Sequence, residues 1–291
     1  MILVVGATGS LGASVTKKLA AAGKPVTALV RDISSEKAGA LQKAGANLVV
    51  GDLKDPPSIE RALHDIATVI CTASSTMSRR EGDSIDTVDQ KGVQTLIAAA
   101  QKMTVRRFIF VSYSRNIADD FPLSVGKRAA EKRLESSRLD YTILLPSYYP
   151  ETWLSAATGF DVAGSKVRIY GDGTSKVSYI ALEEVAKAAV ACVDNPAVSR
   201  KAIPIGGPQA LSQLEVVALV EKATKRKLQL EYMTAEQIKA ARAGTTDPLM
   251  SSFLGLFASL AKGDEIPTSW TTQLNVQPTS LADWIRRNIK V

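Results

Sequence analysis

VVGATGSLGASV (residues 4–15) decides the fold of this chain, because it sets three glycines between an apolar strand and a helical pattern. Glycine loses more backbone entropy on folding than any other residue, so this crowding indicates a tight turn or a close approach. A strand, G-x-x-G-x-x-G and a helix, in that order, place backbone N–H groups where they bind a pyrophosphate. A glycine turn without a ligand is the alternative. The predicted cofactor-binding residues of this loop are Gly6, Thr8, Gly9, Ser10, Leu11 and Gly12.

Short apolar runs alternate with longer helical patterns over the first half of the chain. The predicted strands are 2–5, 25–30, 47–50, 68–71, 107–111 and 141–145. Strands that are apolar throughout are typical of a parallel sheet covered by helices on both faces. The fold class is therefore α/β, a Rossmann-like doubly wound parallel sheet with a smaller C-terminal substrate lobe.

The alternating rhythm breaks after Pro146, which predicts a second structural part. We expect an NAD(P)-binding Rossmann domain over 1–146 plus about 176–206, and a smaller substrate-side lobe over 147–175 and 207–291. Residues 233–276 are apolar but irregular. They predict either a small helical subdomain that covers a pocket or a plug of the core.

Composition excludes several function classes. The net charge of +7 over 291 residues is spread in short runs rather than a basic stripe, which argues against nucleic-acid binding. Cys71 and Cys192 lie in apolar runs and predict buried thiols, and the single histidine, His64, predicts no metal site. No signal peptide or apolar run of about 18 residues is present, so we expect a cytoplasmic protein without a membrane segment.

The end of the second strand, TALVRD (27–32), predicts which dinucleotide binds. NAD-binding proteins place an acid there for the ribose 2′-hydroxyl, whereas a 2′-phosphate requires a guanidinium. Val30 occupies the position of the acid and Arg31 follows it, which favours NADP(H) over NAD(H). Asp32 keeps NAD(H) open, and Arg31 as a plain surface residue is the other alternative.

The order of motifs resembles the NmrA-like branch of the atypical short-chain dehydrogenase/reductase superfamily, over nearly the whole chain. The motifs are GATGSLG, LVRD, GDLKD (51–55), VSYSRN (111–116) and KRAAEKRLESSRLDYTILLP (127–146). This branch includes NAD(P)H-dependent quinone and azo reductases and non-catalytic redox sensors. The resemblance implies that Asp52 and Leu53 flank the adenine. The residues that it implies along the rest of the cofactor are Thr72, Ala73, Ser74, Pro146, Tyr148 and Tyr149.

The resemblance also identifies candidate catalytic residues. Typical members of the superfamily carry a serine, a tyrosine that donates a proton, and a lysine four residues later that lowers the tyrosine pKa and binds the ribose. Ser112 and Lys127 occupy the serine and lysine positions, but Leu123 stands where the tyrosine belongs. Tyr149 is a candidate proton donor, although pocket lining is the alternative for this residue, as it is for Tyr113 and Tyr148. Lys127 as a surface lysine at a helix start is another open alternative.

The missing tyrosine argues against ketone reduction, because an alkoxide product has a conjugate-acid pKa of about 16. A quinone gives a phenolate-like anion with a pKa of about 10, which a weak donor or solvent can protonate. The sequence thus predicts an NADPH-dependent oxidoreductase acting on a small aromatic substrate such as a quinone. The alternative is a regulator that senses the NADP(H) redox state through a protein partner. We expect a monomer or a homodimer.

Overall fold

A computed structural model describes residues 1–78, 80–103, 105–118 and 120–289. The chain forms two compact units. The first contains residues 1–112, 122–144 and 185–203, and the second contains residues 113–121, 145–184 and 204–291.

A seven-stranded sheet organises the first unit. Its strands are β1 (Ile2–Val5), β2 (Val26–Val30), β3 (Asn47–Val50), β4 (Thr68–Cys71), β5 (Arg107–Val111), β6 (Asp140–Pro146) and β10 (Lys201–Ile205). The spatial order is β10-β6-β5-β4-β1-β2-β3, and β1 to β6 pair in parallel. The predicted Rossmann-like α/β class is confirmed.

Helices connect consecutive strands of this sheet. They are α1 (Ser10–Ala21), α2 (Glu36–Lys43), α3 (Pro56–Ala62), α4 (Val93–Lys102) and α5 (Pro122–Glu135), with a π-helix at Ile85–Gly92 directly before α4. Central strands such as β1 are fully buried, as their apolar sequences predict. The edge strand β3 is an exception, because Val50 is 53% exposed.

The strand order reverses between β1 and β4. In doubly wound sheets, ligands bind outside the carboxyl ends of the strands at such a switch point. Cys71, the last residue of β4, pairs with Val5, the last residue of β1, so the loops that follow both strands begin side by side. The sheet therefore brings the glycine loop next to residues 72–75.

The second unit contains two small sheets. The three-stranded sheet has the order β12-β8-β7, and the two-stranded sheet pairs β11 with β9. Their strands are β7 (Phe160–Asp161), β8 (Lys166–Tyr170), β9 (Lys176–Val177), β11 (Leu211–Ser212) and β12 (Gln229–Met233). The remaining helices of the chain are α6 (Pro150–Trp153), α7 (Leu182–Ala191), α8 (Gln213–Thr224), α9 (Ala235–Ala243), α10 (Pro248–Lys262), α11 (Trp270–Leu274) and α12 (Leu281–Asn288). Most of α7 belongs to the first unit, and the other helices of this set belong to the second.

The irregular apolar stretch 233–276 is largely helical, since it contains α9, α10 and α11. Aromatic packing holds α10 on its own unit: Phe257 stacks on Tyr170 with ring centroids 4.1 Å apart. Trp270 is 1% exposed and donates its indole N–H to the Gly206 carbonyl at 3.0 Å. These contacts give the second unit its own core.

The two cysteines are buried and unpaired, as the sequence predicts. Burial raises the pKa of Cys71 to about 11, so its thiol stays neutral near pH 7. Within the described ranges, none of the helices combines the length and the apolar character that crossing a bilayer requires.

Candidate functional site

The glycine loop runs from the end of β1 into α1. Gly6 adopts a φ of +82°, and the N–H of Gly9 donates to the Gly6 carbonyl at 3.0 Å. Gly9 is the N-cap residue of α1, and because it has no side chain, no side-chain oxygen caps the first turn. The first N–H groups of a helix have no intrahelical acceptor, and α1 has no acidic residue in that turn. This helix start is suited to bind an anion.

Two of the three glycines are required by the packing of the loop itself. A Cβ on Gly6 would lie 2.8 Å from the Ala73 nitrogen, and one on Gly12 would lie 2.7 Å from the Gly6 carbonyl carbon. Gly9 differs, since its φ of −76° is open to any residue and a Cβ would meet only the Gly6 oxygen at 3.3 Å. The backbone thus restricts Gly9 less than it restricts Gly6 and Gly12, and the space in front of the helix start is open.

Residues 72–74 continue from β4 beside this loop. Thr72 donates its backbone N–H to the Val5 carbonyl at 2.9 Å and its hydroxyl to the same oxygen at 3.1 Å. Ala73 is buried, whereas Ser74 is exposed. The predicted residues of the cofactor's middle thus lie at the switch point, on the same edge of the sheet as the glycine loop.

Arg31 lies in an ion-pair cluster that the sequence does not indicate. The Asp83 carboxylate accepts hydrogen bonds from Arg31, from Lys54 at 2.6 Å and from Ser78. Asp52 accepts from the Lys54 backbone N–H and has a carboxylate oxygen 3.8 Å from the Lys54 ammonium. The cluster places two cations at the carboxyl ends of β2 and β3.

The GDLKD turn orders two further predicted residues. Leu53 is buried, and a Cβ on Gly92 of the π-helix would lie 2.8 Å from the Leu53 Cβ. Asp55 stands at the N-cap of α3, but its side chain makes no capping hydrogen bond. The Ser58 hydroxyl instead accepts from the Asp52 N–H at 3.0 Å.

Lys127 is buried, not a surface lysine at a helix start. It is 5% exposed, and its ammonium donates to the carbonyls of Ala73 at 3.3 Å and Val111 at 3.4 Å. The ammonium also lies 5.1 Å from the centre of the Phe110 ring. An ammonium has three donors, so these two bonds within the described part of the chain leave a third for a ligand. Lys127 therefore lies at the carboxyl ends of β4 and β5.

Ser112 is engaged with a carboxylate. Its hydroxyl donates to Glu131 at 2.5 Å, and Arg128 pairs with the same carboxylate. Ser112 and Glu131 are 5% and 2% exposed. A hydroxyl that donates to a carboxylate retains only its lone pairs, so Ser112 can accept a hydrogen bond but cannot protonate a substrate in this state. Glu131 was not predicted, although its place four residues after Lys127 puts both on one helix face.

Leu123 occupies the first turn of α5 and is 5% exposed. It lies one helical turn before Lys127, which is the spacing that the superfamily uses for its tyrosine and lysine. An apolar, buried side chain at this position supplies no proton. The structure therefore shows a buried lysine at the predicted lysine position and an apolar residue at the position where the resemblance implies the acid.

The sequence of this chain is similar to those of known NAD(P)H-binding proteins. The sequence profile of an NAD(P)H-binding family matches residues 6–196. An NAD(P)H azoreductase of Xenophilus azovorans is 32% identical over 85% of this chain and 82% of its own length. The chain belongs to the NAD(P)H-binding family. The resemblance inferred from the motifs is confirmed at this level.

Other members of the NAD(P)H-binding family differ in their described roles. The photosystem II assembly factor Ycf39 of Synechocystis is 30% identical over 84% of this chain and 74% of its own length. Two solved structures share the fold over 99% of this chain at low identity. One is an Escherichia coli NADPH-dependent quinone oxidoreductase in complex with NADPH, which is 21% identical, is covered over 99% of its length and has a TM-score of 0.81. The other is a Citrobacter sp. triphenylmethane reductase in complex with NADP(H), which is 18% identical, is covered over 100% of its length and has a TM-score of 0.82.

Sequence reasoning also missed Asp89, in the π-helix that precedes α4. Its Oδ2 accepts from the Ser75 N–H at 2.9 Å and the Ser75 hydroxyl at 2.6 Å. Its Oδ1 is buried and has no hydrogen-bond partner among the residues that the structure describes. π-Helical turns are frequent at functional sites, and a buried polar atom without a partner is rare in folded proteins. An acid amid the apolar residues of a helical pattern is the signal that could have indicated it.

The remaining predicted residues lie in the second unit. Pro146 accepts a backbone hydrogen bond from Ser114 at 2.9 Å. The Tyr148 hydroxyl donates to the Leu256 carbonyl at 3.1 Å, and its ring packs edge-on against Trp153. Burial raises the pKa of Tyr148. The pKa of Tyr149 is also raised, mainly by burial and to a smaller extent by the nearby charge of Glu151. Both phenols are therefore protonated at neutral pH, and Tyr148 has its proton committed to a backbone oxygen.

His64 is exposed at the surface, 2.9 Å from the Asp65 carboxylate. No group of three metal-ligating side chains occurs in the described residues. The chemistry of the site is thus built from backbone N–H groups, buried carboxylates and the cations Arg31, Lys54 and Lys127.

Proposed function

We propose that this protein is an NADPH-dependent oxidoreductase that transfers a hydride to a quinone-like or other electron-poor aromatic acceptor. The observation that carries the proposal is the helix start of α1, which has no side-chain cap and lies beside Ala73 at the switch point. The azoreductase, quinone oxidoreductase and triphenylmethane reductase relatives support reductase chemistry on aromatic acceptors. They do not favour the non-catalytic redox sensor.

The residues present fit NADPH. The first N–H groups of α1 would bind the pyrophosphate, with Gly9 leaving the space for it. Arg31 and Lys54 would meet the 2′-phosphate, and the third donor of Lys127 would bind the nicotinamide ribose. When bound, NADPH supplies a hydride and leaves as NADP⁺.

The protein's contribution to the reaction is orientation. Lys127 is fixed by two carbonyls and Phe110, so a ribose held by it has a defined position. Ser112 accepts a hydrogen bond, and thus it can orient an N–H or O–H group but does not supply the proton. The proton that completes reduction of a quinone to a hydroquinone then comes from solvent, or from Tyr149 as a candidate donor. An acceptor that yields a stabilised anion suits this arrangement.

Oxidation of NADPH, followed at 340 nm with a panel of quinones and azo dyes beside a direct titration of the cofactor, tests the proposal. Turnover of aromatic acceptors supports it. NADPH binding without turnover of any acceptor would favour the redox sensor instead. An absence of NADPH binding would contradict both.

The preference for NADPH over NADH is expected to depend on Arg31. A guanidinium–phosphate contact contributes about 1–3 kcal/mol, so Arg31→Ala should weaken NADPH binding by about 5- to 150-fold and leave NADH binding nearly unchanged. Calorimetric titration of both cofactors measures this. Arg61→Ala is the matched control, because Arg61 is exposed and pairs only weakly, at 3.9 Å, with Asp55. An unchanged preference for NADPH over NADH in Arg31→Ala would mean that other residues bind the 2′-phosphate.

A further inference from the structure

The Arg31 cluster consists of Arg31, Lys54, Ser78 and Asp83. Asp83 is its centre, since its carboxylate accepts from all three of the other side chains. Ser78 and Asp83 belong to the segment after β4, whereas Arg31 follows β2 and Lys54 follows β3. Three separate chain segments thus converge on one carboxylate.

Asp83 is ionised and shielded from solvent. Its side chain is 2% exposed. Burial alone would raise the pKa of Asp83, but hydrogen bonds from Lys54, Ser78 and Arg31 outweigh it and hold the pKa at about 2. At neutral pH this carboxylate is a permanent negative charge with almost no surface open to a ligand.

The two cations of the cluster remain accessible. The Arg31 and Lys54 side chains are 35% and 25% exposed, so each can present part of its charged group to a ligand. A guanidinium has five N–H donors, and the bond to Asp83 leaves others for a second acceptor. A 2′-phosphate at the end of β2 would therefore share these cations with Asp83.

We propose that Asp83 is a specificity-determining residue, whose buried carboxylate competes with the cofactor's 2′-phosphate for Arg31 and Lys54 and so limits the preference for NADPH over NADH. The proposal rests on the proposed function, because it assumes that NADPH binds at this end of the sheet. Asp83 and Asp52 together balance the charges of Arg31 and Lys54. The phosphate thus meets a nearly neutral cluster. Arg31 and Lys54 without these carboxylates would attract it more strongly.

This competition acts on one cofactor only. NADH has a hydroxyl in place of the 2′-phosphate, so the charge of Asp83 changes its binding little. Removal of one negative charge several ångströms from a doubly charged phosphate at a partly exposed site corresponds to a gain of about tenfold in affinity. The same removal leaves Arg31 and Lys54 solvated rather than stranded, because both are partly exposed.

The test is Asp83→Asn, which preserves the size of the side chain and removes its charge. We expect the ratio of the NADH to the NADPH dissociation constant to rise about tenfold, through tighter NADPH binding. The NADPH affinity should also fall more steeply with added salt than in the wild type. Asp86→Asn is the matched control, because Asp86 lies in the same segment, is 53% exposed and pairs with Lys91 instead.

An unchanged or lower ratio in a folded Asp83→Asn variant would overturn the proposal and make Asp83 a support of Arg31. Asp83→Ser, which also removes the charge, is the second variant if Asp83→Asn does not fold. The preference for NADPH should rise in it as well, and a preference that falls or holds would overturn the proposal. Failure of the proposed function is distinct, since it would appear in the wild type itself, either as an absence of NADPH binding or as NADPH binding without turnover of any acceptor.

Discussion

Replacement of Gly9 by valine is expected to abolish NADPH binding, by at least about 100-fold, while the protein keeps its fold. Gly9 is exposed at the N-cap of α1 with a φ of −76°, so valine meets no backbone strain there. Its branched side chain would occupy the space in front of the helix N–H groups and keep a pyrophosphate away from them. Titration with NADPH and circular dichroism measure the two effects.

Two other glycine variants serve as controls for this prediction. Gly39→Val places the same side chain in α2, where a Cβ would meet nothing within 4 Å, and should leave binding intact. Gly12→Ala should instead lose stability together with binding, because its Cβ would overlap the Gly6 carbonyl group and lie 2.8 Å from the Thr72 hydroxyl. Normal NADPH affinity in a folded Gly9→Val variant would mean that the loop does not bind the pyrophosphate.

The strands of the first unit could be predicted closely because each is a short apolar run between polar turns. The second strand, predicted at 25–30, lies at Val26–Val30, and the sixth, predicted at 141–145, lies at Asp140–Pro146. The glycine loop could be predicted for the same reason, since its strand, glycines and helix are contiguous in the sequence. Hydrophobic period and turn chemistry are properties of neighbours along the chain, so the sequence carries them directly.

The ion pairs of the site could not be predicted in the same way. The ion pair of Arg31 with Asp83 joins residues 52 positions apart, and the hydrogen bond of Ser112 to Glu131 joins residues 19 apart, so both contacts depend on strand order and helix rotation. The π-helix at Ile85–Gly92 could not be predicted, because the wider winding of eight residues hardly changes the apolar pattern of a long helical stretch. The division of the chain into a cofactor domain and a substrate-side lobe, and the catalytic roles of Lys127, Ser112 and Tyr149, stay predictions.

Quinones are expected to be reduced at least about 100-fold faster than aliphatic ketones, in kcat/KM, because Leu123 supplies no proton where the superfamily has its tyrosine. A positioned acid contributes about 10²–10⁴-fold to such reactions. A ketone needs that contribution because its product is an alkoxide, whereas a quinone yields a much weaker base. A comparison of matched concentrations of a benzoquinone and an aliphatic ketone with NADPH measures the ratio.

Lys127→Met tests whether the quinone activity arises at this site. Methionine retains the length and fits a buried space against Phe110, but it removes the donor that would hold the ribose. We expect quinone kcat/KM to fall by about 10- to 100-fold. Lys132→Met is the matched control, since Lys132 is an exposed residue of the same helix.

The two measurements together separate the sources of catalysis. A quinone rate that falls with Lys127→Met and a ketone rate that is negligible throughout indicate orientation by Lys127 without a protein acid. Efficient ketone reduction would contradict the argument from Leu123 and require a donor. Tyr149 is the candidate, because its phenol keeps its proton at neutral pH, although burial raises its pKa and makes it a weaker acid. Tyr149→Phe would then abolish ketone turnover and spare the quinone, since only the alkoxide needs that proton.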